Sequence, residues 1–205
     1  MLVLTIDQQA SRNAEDRIEE LLDQLRAEPW ADRLVRGFER TAGDEVQGLL
    51  DQPSDAVDAS LALVRDGRWY VGVGVGPVRE PLPDSVRAAA GPAFVHAREA
   101  VDRAKASPAR LAVVGPDPES ARDAEALLAL LAAVVQRRSR QGWEVVDLMA
   151  RGLAQKDVAE RLGISPQAVS QRLRSALWNE ERRVRPLAVR LLAQADAPGA
   201  KRGRA

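Results

Sequence analysis

Apolar residues along this chain follow two rhythms, a two-residue alternation that marks strands and a three-to-four-residue spacing that marks helices. Leu2 to Ile6 reads as a strand. Ala14 to Leu25 places Ile18, Leu21, Leu22 and Leu25 on one helical face. An apolar run from Leu34 to Thr41, the turn Ala42-Gly43-Asp44 and a second run from Glu45 to Leu50 predict a hairpin. Ser54 caps a predicted helix that runs to about Val64, and Arg68 to Val75 reads as the next strand. Pro92 opens a helix through Ala106, and Arg110 to Val114 is a short strand of buried character.

The resulting order, β-α-β-β-α-β-α-β, is a ferredoxin-like unit with an added helix and strand. The expected fold class is therefore α+β, with a ferredoxin-like domain over residues 1–116 and an all-α domain behind it. Pro116-Asp117-Pro118 punctuates the chain, and a long helix follows from about Glu119 to Arg138, its acidic start and basic end suited to the helix dipole. This connecting segment, 117–140, is apolar enough to pack on the first domain or on a second copy of itself.

The segment 141–195 carries the most specific pattern. A helix from Gly142 to Ala150 presents Trp143, Val146, Met149 and Ala150, and a second from Gln155 turns Val158, Ala159 and Leu162 inward. Gly163 supplies a left-handed turn, Ile164 plugs the core, Ser165 caps and Pro166 takes the first position of a third helix, which buries Val169, Leu173 and Ala176. This is a helix-turn-helix. Its third helix leaves Gln167, Ser170, Gln171 and Arg174 on one outward stripe, suited to base edges in a major groove, with Lys156, Arg161 and Arg172 placed for phosphates. A continuation through Trp178 to Leu192, breaking near Pro186, would offer Leu187, Val189, Leu191 and Leu192 to a dimer contact. Helix-turn-helix dimers read half-sites about one DNA turn apart.

Charge supports that placement. The 30 Lys+Arg and 30 Asp+Glu cancel over the whole chain. Residues 137–205 nevertheless hold 15 basic against 7 acidic side chains, a net of +8, and residues 1–136 the reverse, −8. Residues 196–205 read as a disordered basic tail. With no cysteine and one histidine, disulfides and thiolate metal sites are excluded and a zinc centre has little to build on. Neither a signal peptide nor a membrane-spanning stretch is evident, so the expected location is cytoplasmic.

The helix-turn-helix, with its Ile-Ser-x-x-x-Val-x-x-x-Leu pattern ahead of Ala176-Leu177, resembles sigma-factor region 4 and related response-regulator output domains. That resemblance spans roughly 35 residues and implies double-stranded DNA as partner.

In a ferredoxin-like sheet of order 4-1-3-2, the end of the first strand and the hairpin lie on one edge, which brings Asp7 beside Asp44. Two carboxylates there are suited to Mg²⁺ and, through it, a phosphate group, with Glu45 either assisting or facing solvent. Leu4-Thr5-Ile6-Asp7 with Ser11-Arg12, Arg40 to Glu45, Val71 to Gly76 and Gly91 to Arg98 also occur in the order of the class III nucleotide cyclase homology domain, a palm-type fold shared with GGDEF domains. Their spacing is closer still to SatD-like bacterial proteins, and the resemblance spans about residues 2–114. It implies that Asp7 and Asp44 hold metal and that Arg40 and Arg98 contact a nucleotide. Phe94 stands where a catalytic asparagine is usual, which argues against turnover while leaving nucleotide binding open. Gly43-Asp44 is also an ordinary hairpin turn, and Gly72, Gly74 and Gly76 suit close helix packing as well as ligand approach. His96, on an Ala-rich helix, reads as a half-buried neutral residue.

Three functions follow as expectations. The first is a dimeric, sequence-specific transcriptional regulator whose cyclase-like domain senses a small nucleotide ligand or mediates dimerisation. The second is a nucleotide-messenger enzyme carrying a DNA-binding or protein-interaction domain, and the third a scaffold with neither activity.

Overall fold

The computed structural model describes residues 1–9 and 15–196. The Ser11-Arg12 pair, the expected helix start at Ala14 and nearly all of the basic tail lie outside the described residues. The fold is α+β: a five-stranded mixed sheet with helices, followed by a helical region.

The strands are β1 (Leu2–Gln8), β2 (Arg36–Arg40), β3 (Glu45–Leu50), β4 (Trp69–Val75) and β5 (Leu111–Val114), in the order β2-β3-β1-β4-β5. The first four are antiparallel to their neighbours, and β5 joins parallel to β4. Read from β4, the first four strands run 4-1-3-2, the order expected from the sequence. β2 is shorter than the apolar run predicted, because Ala31–Arg33 forms a 3-10 turn ahead of it and a register shift interrupts its pairing between Arg36 and Glu39.

Alternation along β1 divides the molecule. Leu2, Leu4 and Ile6 face the main core, built with α1 (Ile18–Arg26), α2 (Pro53–Asp66) and α4 (Pro118–Arg137). Val3 faces the other side, covered by α3 (Pro92–Ala104). Proline at the first position of α2 and a left-handed Gly67 past its end set that helix's limits; Gln52, not Ser54, is the residue ahead of it. The Asp117 side chain caps α4 by accepting from the amides of Glu119 and Ser120.

Glycines on β4 let α3 approach. A Cβ at Gly74 would lie 2.1 Å from the Ala97 amide nitrogen, and one at Gly72 would lie 2.3 Å from that of Val101. Backbone atoms cannot rotate away, so helix packing accounts for these two glycines.

The helical region holds α5 (Arg140–Ala150), α6 (Gln155–Leu162), α7 (Pro166–Ser175) and α8 (Trp178–Ala195). Val145, Val146, Leu148, Val158, Ala159, Val169 and Leu173 form its own small core, whereas Ala150, expected inside, is exposed. Two expectations are corrected here. The break after α7 falls at Leu177, whose φ is +52°, and Pro186 sits within an uninterrupted α8 with its side chain on the exposed side. Leu192, expected in a dimer contact, is fully buried in the main core of its own chain with Ala188 and Ala195, because α8 folds back onto α2 and α4. Leu187 on α8 and Leu130 on α4 stay exposed.

A polar joint fastens the two halves. Arg138 and Glu181, each 1% exposed at the side chain, pair at 2.5 Å, and Arg138 also donates to the Ala176 carbonyl. Arg185 bonds both Glu181 and Asp58 on α2. Arg65, at the end of α2, binds both carboxylate oxygens of Asp147 on α5, at 2.6 and 2.7 Å, and lies 3.6 Å from the centre of the Trp143 ring.

Candidate functional site

The start of α7 is built locally. Gly163 ends α6 with a φ of +64°, Ser165 Oγ accepts from the Ala168 amide at 3.1 Å, and Pro166 begins the helix with the fixed φ that position requires. Val169 and Leu173 point inward, so the opposite stripe is forced outward. Gln167, Gln171 and Arg174 are exposed, while Ser170 is half-buried and donates through its hydroxyl to Gln155 Oε1 at 2.9 Å.

The residues assigned to phosphate contact separate into two kinds. Lys156 and Arg161 are exposed on α6 and meet no carboxylate among the described residues. Arg172 is half-buried and pairs with Glu144 at 3.3 Å, a carboxylate it shares with Arg140. Arg172 is thereby anchored to α5, and its charge is partly neutralised.

The sheet half gathers a different cluster. Register places Asp7 directly opposite Glu45 and Thr5 opposite Gln47, all on the side covered by α3. Lys105, just past α3, pairs with Asp7 at 2.7 Å. Arg98 on α3 meets Glu45 at 2.5 Å, and the Glu45 carboxylate, 3% exposed at the side chain, also accepts from the Thr41 hydroxyl at 2.8 Å and from Gln47 at 3.2 Å. Burial raises the pKa of Asp7 against the opposing pull of Lys105, and burial likewise raises Glu45 against Thr41 and Arg98. Asp44 stays half-buried at the hairpin turn, and Arg40 is held by the Gly43 carbonyl at 2.6 Å and by Asp16 at 2.7 Å.

The proposed metal pair therefore has a changed setting. Glu45, left open between assisting and facing solvent, is buried. Each inner carboxylate already has its own cation, so a divalent ion would have to displace Lys105 or Arg98 and leave that charge without a partner. Among the described residues no three His, Cys, Asp or Glu side chains come together to hold a metal. Of the proposed pair, Asp7 is engaged by Lys105, and Asp44 lies near enough for its charge to raise the Asp7 pKa further. Phe94 packs into the apolar cluster of Val3, Leu49 and Ala97, and His96 Nδ1 lies 2.6 Å from the Val75 carbonyl oxygen, an acceptor that requires the proton on that nitrogen.

A model of the SatD family matches residues 4–192. The chain belongs to the SatD family. The match runs from β1 almost to the end of α8, so the SatD unit includes the helical region instead of stopping near residue 114. No curated protein and no solved structure matches this chain. Among the described residues no helix is long and apolar enough to cross a membrane.

Sequence reasoning missed Lys105 as the partner of Asp7 and Arg138 with Glu181 as the buried pair of the joint. A basic residue at the end of the helix after β4 was the available signal for the first. Arg138 carried none, since it stands in an arginine-rich stretch with Arg137 and Arg140.

Proposed function

We propose that this SatD-family protein is a sequence-specific DNA-binding regulator in which α7 enters the major groove. One observation carries the reading: a capped, outward helix start presents Gln167, Gln171 and Arg174, and the preceding helix exposes Lys156 and Arg161, which meet no carboxylate among the described residues. Gln and Arg suit adenine and guanine edges, and unpaired surface cations suit phosphates. Ser170, tied to Gln155, acts more through that neighbour than as a free base contact.

In this reading the sheet half, with its 4-1-3-2 order and added β5, is a ferredoxin-like palm that carries the reading helix. The pairing of Asp7 and Glu45 with basic side chains supports a structural or sensing role over metal-dependent turnover. A second copy, which paired half-sites would require, would use the exposed Leu130 and Leu187.

Fluorescence anisotropy with sites selected from genomic fragments, at several salt concentrations, tests the proposal. Binding weakens log-linearly with salt, and Arg174→Ala costs about 1–3 kcal/mol and relaxes preference at one base position. Binding that is neither sequence-dependent nor salt-dependent would reject it.

A further inference from the structure

The helix α4 is apolar on both of its faces. Toward the sheet it buries a row that runs from Ala121 to Val135. Ala126, Leu130, Ala133 and Val134 stand on the outward stripe, which no charged residue interrupts between Asp123 and Arg137, and Leu130 is 60% exposed. A helix apolar all round is ordinarily covered all round.

The neighbouring α8 extends this face. It runs antiparallel to α4: Arg138, just past α4, meets Glu181 near the start of α8, and Ala195 at its end lies against Gly115, ahead of α4. At a rise of about 1.5 Å per residue, Leu187 stands about 9 Å from the Arg138–Glu181 pair and Leu130 about 12 Å, within one turn of each other along the axes. Leu191, one turn beyond Leu187, packs half-buried on the core that α4 and α8 share, which leaves Leu187, 40% exposed, at the outer edge of their seam.

The charges at the ends of the stripe say what covers it. Asp123 and Arg137 each stand seven residues from Leu130, about two turns to either side on the same face. Both are exposed, and neither meets an opposite charge among the described residues. Arg122, beside Asp123, lines the cleft against α3 instead. An apolar stripe centred on Leu130, acidic at one end and basic at the other, complements itself when a second copy is turned end for end.

We propose that two copies of this chain pair through antiparallel α4 helices, Leu130 meeting its own copy at the two-fold axis and Asp123 of each chain meeting Arg137 of the other. Ala126 and Ala133, on either side of Leu130, let the helices approach closely. The pairing goes beyond the DNA-binding reading and does not depend on it.

Sedimentation equilibrium of the full chain, without DNA, tests the pairing, with circular dichroism to confirm that each variant is folded. The unaltered protein dimerises reversibly, and Leu130→Glu weakens association by about tenfold or more. Asp123→Arg sets arginine against arginine at both ends and weakens it about tenfold. Asp123→Arg together with Arg137→Asp in one chain restores association, because each exchanged charge again meets its opposite; if Leu130→Glu fails to fold, this exchange decides alone. A monomer at every concentration up to about 1 mM, a dimer indifferent to Leu130→Glu, or an exchange that does not restore association overturns the proposal. None of these outcomes bears on whether α7 reads DNA.

Discussion

The two halves of the molecule treat their cations in opposite ways. In the sheet half, Arg33, Arg40, Arg68, Arg98, Arg103 and Lys105 each meet a carboxylate, several of them with side chains from distant parts of the chain. In the helical half, Lys156, Arg161, Arg174, Arg183 and Arg190 meet none among the described residues. Net charge alone would describe this as −8 against +8. Pairing says more, because a paired cation is already used by the fold, whereas an unpaired one on a positive surface is available to a polyanion. The helical half has exceptions, Arg140 and Arg172 on Glu144 and Arg185 on Glu181 and Asp58, and the fully buried exception is Arg138, on Glu181.

That exception gives the largest effect. Arg138→Ala leaves Glu181 charged and buried without its main partner, and removing one member of a buried pair costs about 3–5 kcal/mol. Urea denaturation should show this loss with Arg138→Ala, and it should be much smaller with Arg138→Met plus Glu181→Leu together, which removes both charges. A loss under about 1 kcal/mol for the single variant would mean that the joint does not hold the halves together.

The next effect sharpens the contrast. Lys156→Ala, at an exposed site that meets no carboxylate among the described residues, should leave stability within about 0.5 kcal/mol of the starting value. In the salt-dependence measurement it should weaken DNA binding evenly across sequences and lower the slope by about one. Arg103→Ala should do the converse. It breaks a half-exposed pair with Glu125, costs at most about 1 kcal/mol in the same denaturation experiment, and leaves DNA affinity unchanged. An effect of Arg103→Ala on DNA as large as that of Lys156→Ala would erase the distinction between the halves.

What the sequence made legible follows the range of the interactions. The start of α7 is set by four neighbours, Gly163 to Pro166, each acting within one turn, and it could be read directly. The strand order was also accessible, because it follows from element order and the handedness of crossovers. The partner of Asp7 was not, since it depends on the register of β1 against β3 and on where α3 ends above them. The destination of α8 was hidden for a similar reason. Leu192 and Leu187 share an amphipathic pattern suited to any apolar partner, and only the turn at Leu177 decides that Leu192 meets its own core. Pro186 looked like the stronger breaker and was not, because an exposed proline can sit within a helix whose other face is held by packing.

The smallest effect separates the same regions by pH. Asp7 and Glu45 have folded pKa values above their ordinary 3.8 and 4.5, chiefly through burial, so the folded sheet half retains protons that the unfolded chain has released. Their contribution is fully present below those ordinary values and is lost as pH rises through the folded ones. Glu181 has the opposite sign. Burial raises it, but Arg138 and Arg185 outweigh burial and hold it below the ordinary 4.5. Its contribution is present above that value and is lost as pH falls through the folded one. Urea denaturation across the weakly acidic range should therefore show Glu45→Gln flattening the decline on the rising side, and Glu181→Gln, in a background that also carries Arg138→Met, removing the loss on the acid side. A Glu45→Gln profile parallel to that of the unaltered protein would mean that the Arg98 pair, and not burial, governs this carboxylate, which would return the cluster beside α3 to contention as a charged binding site.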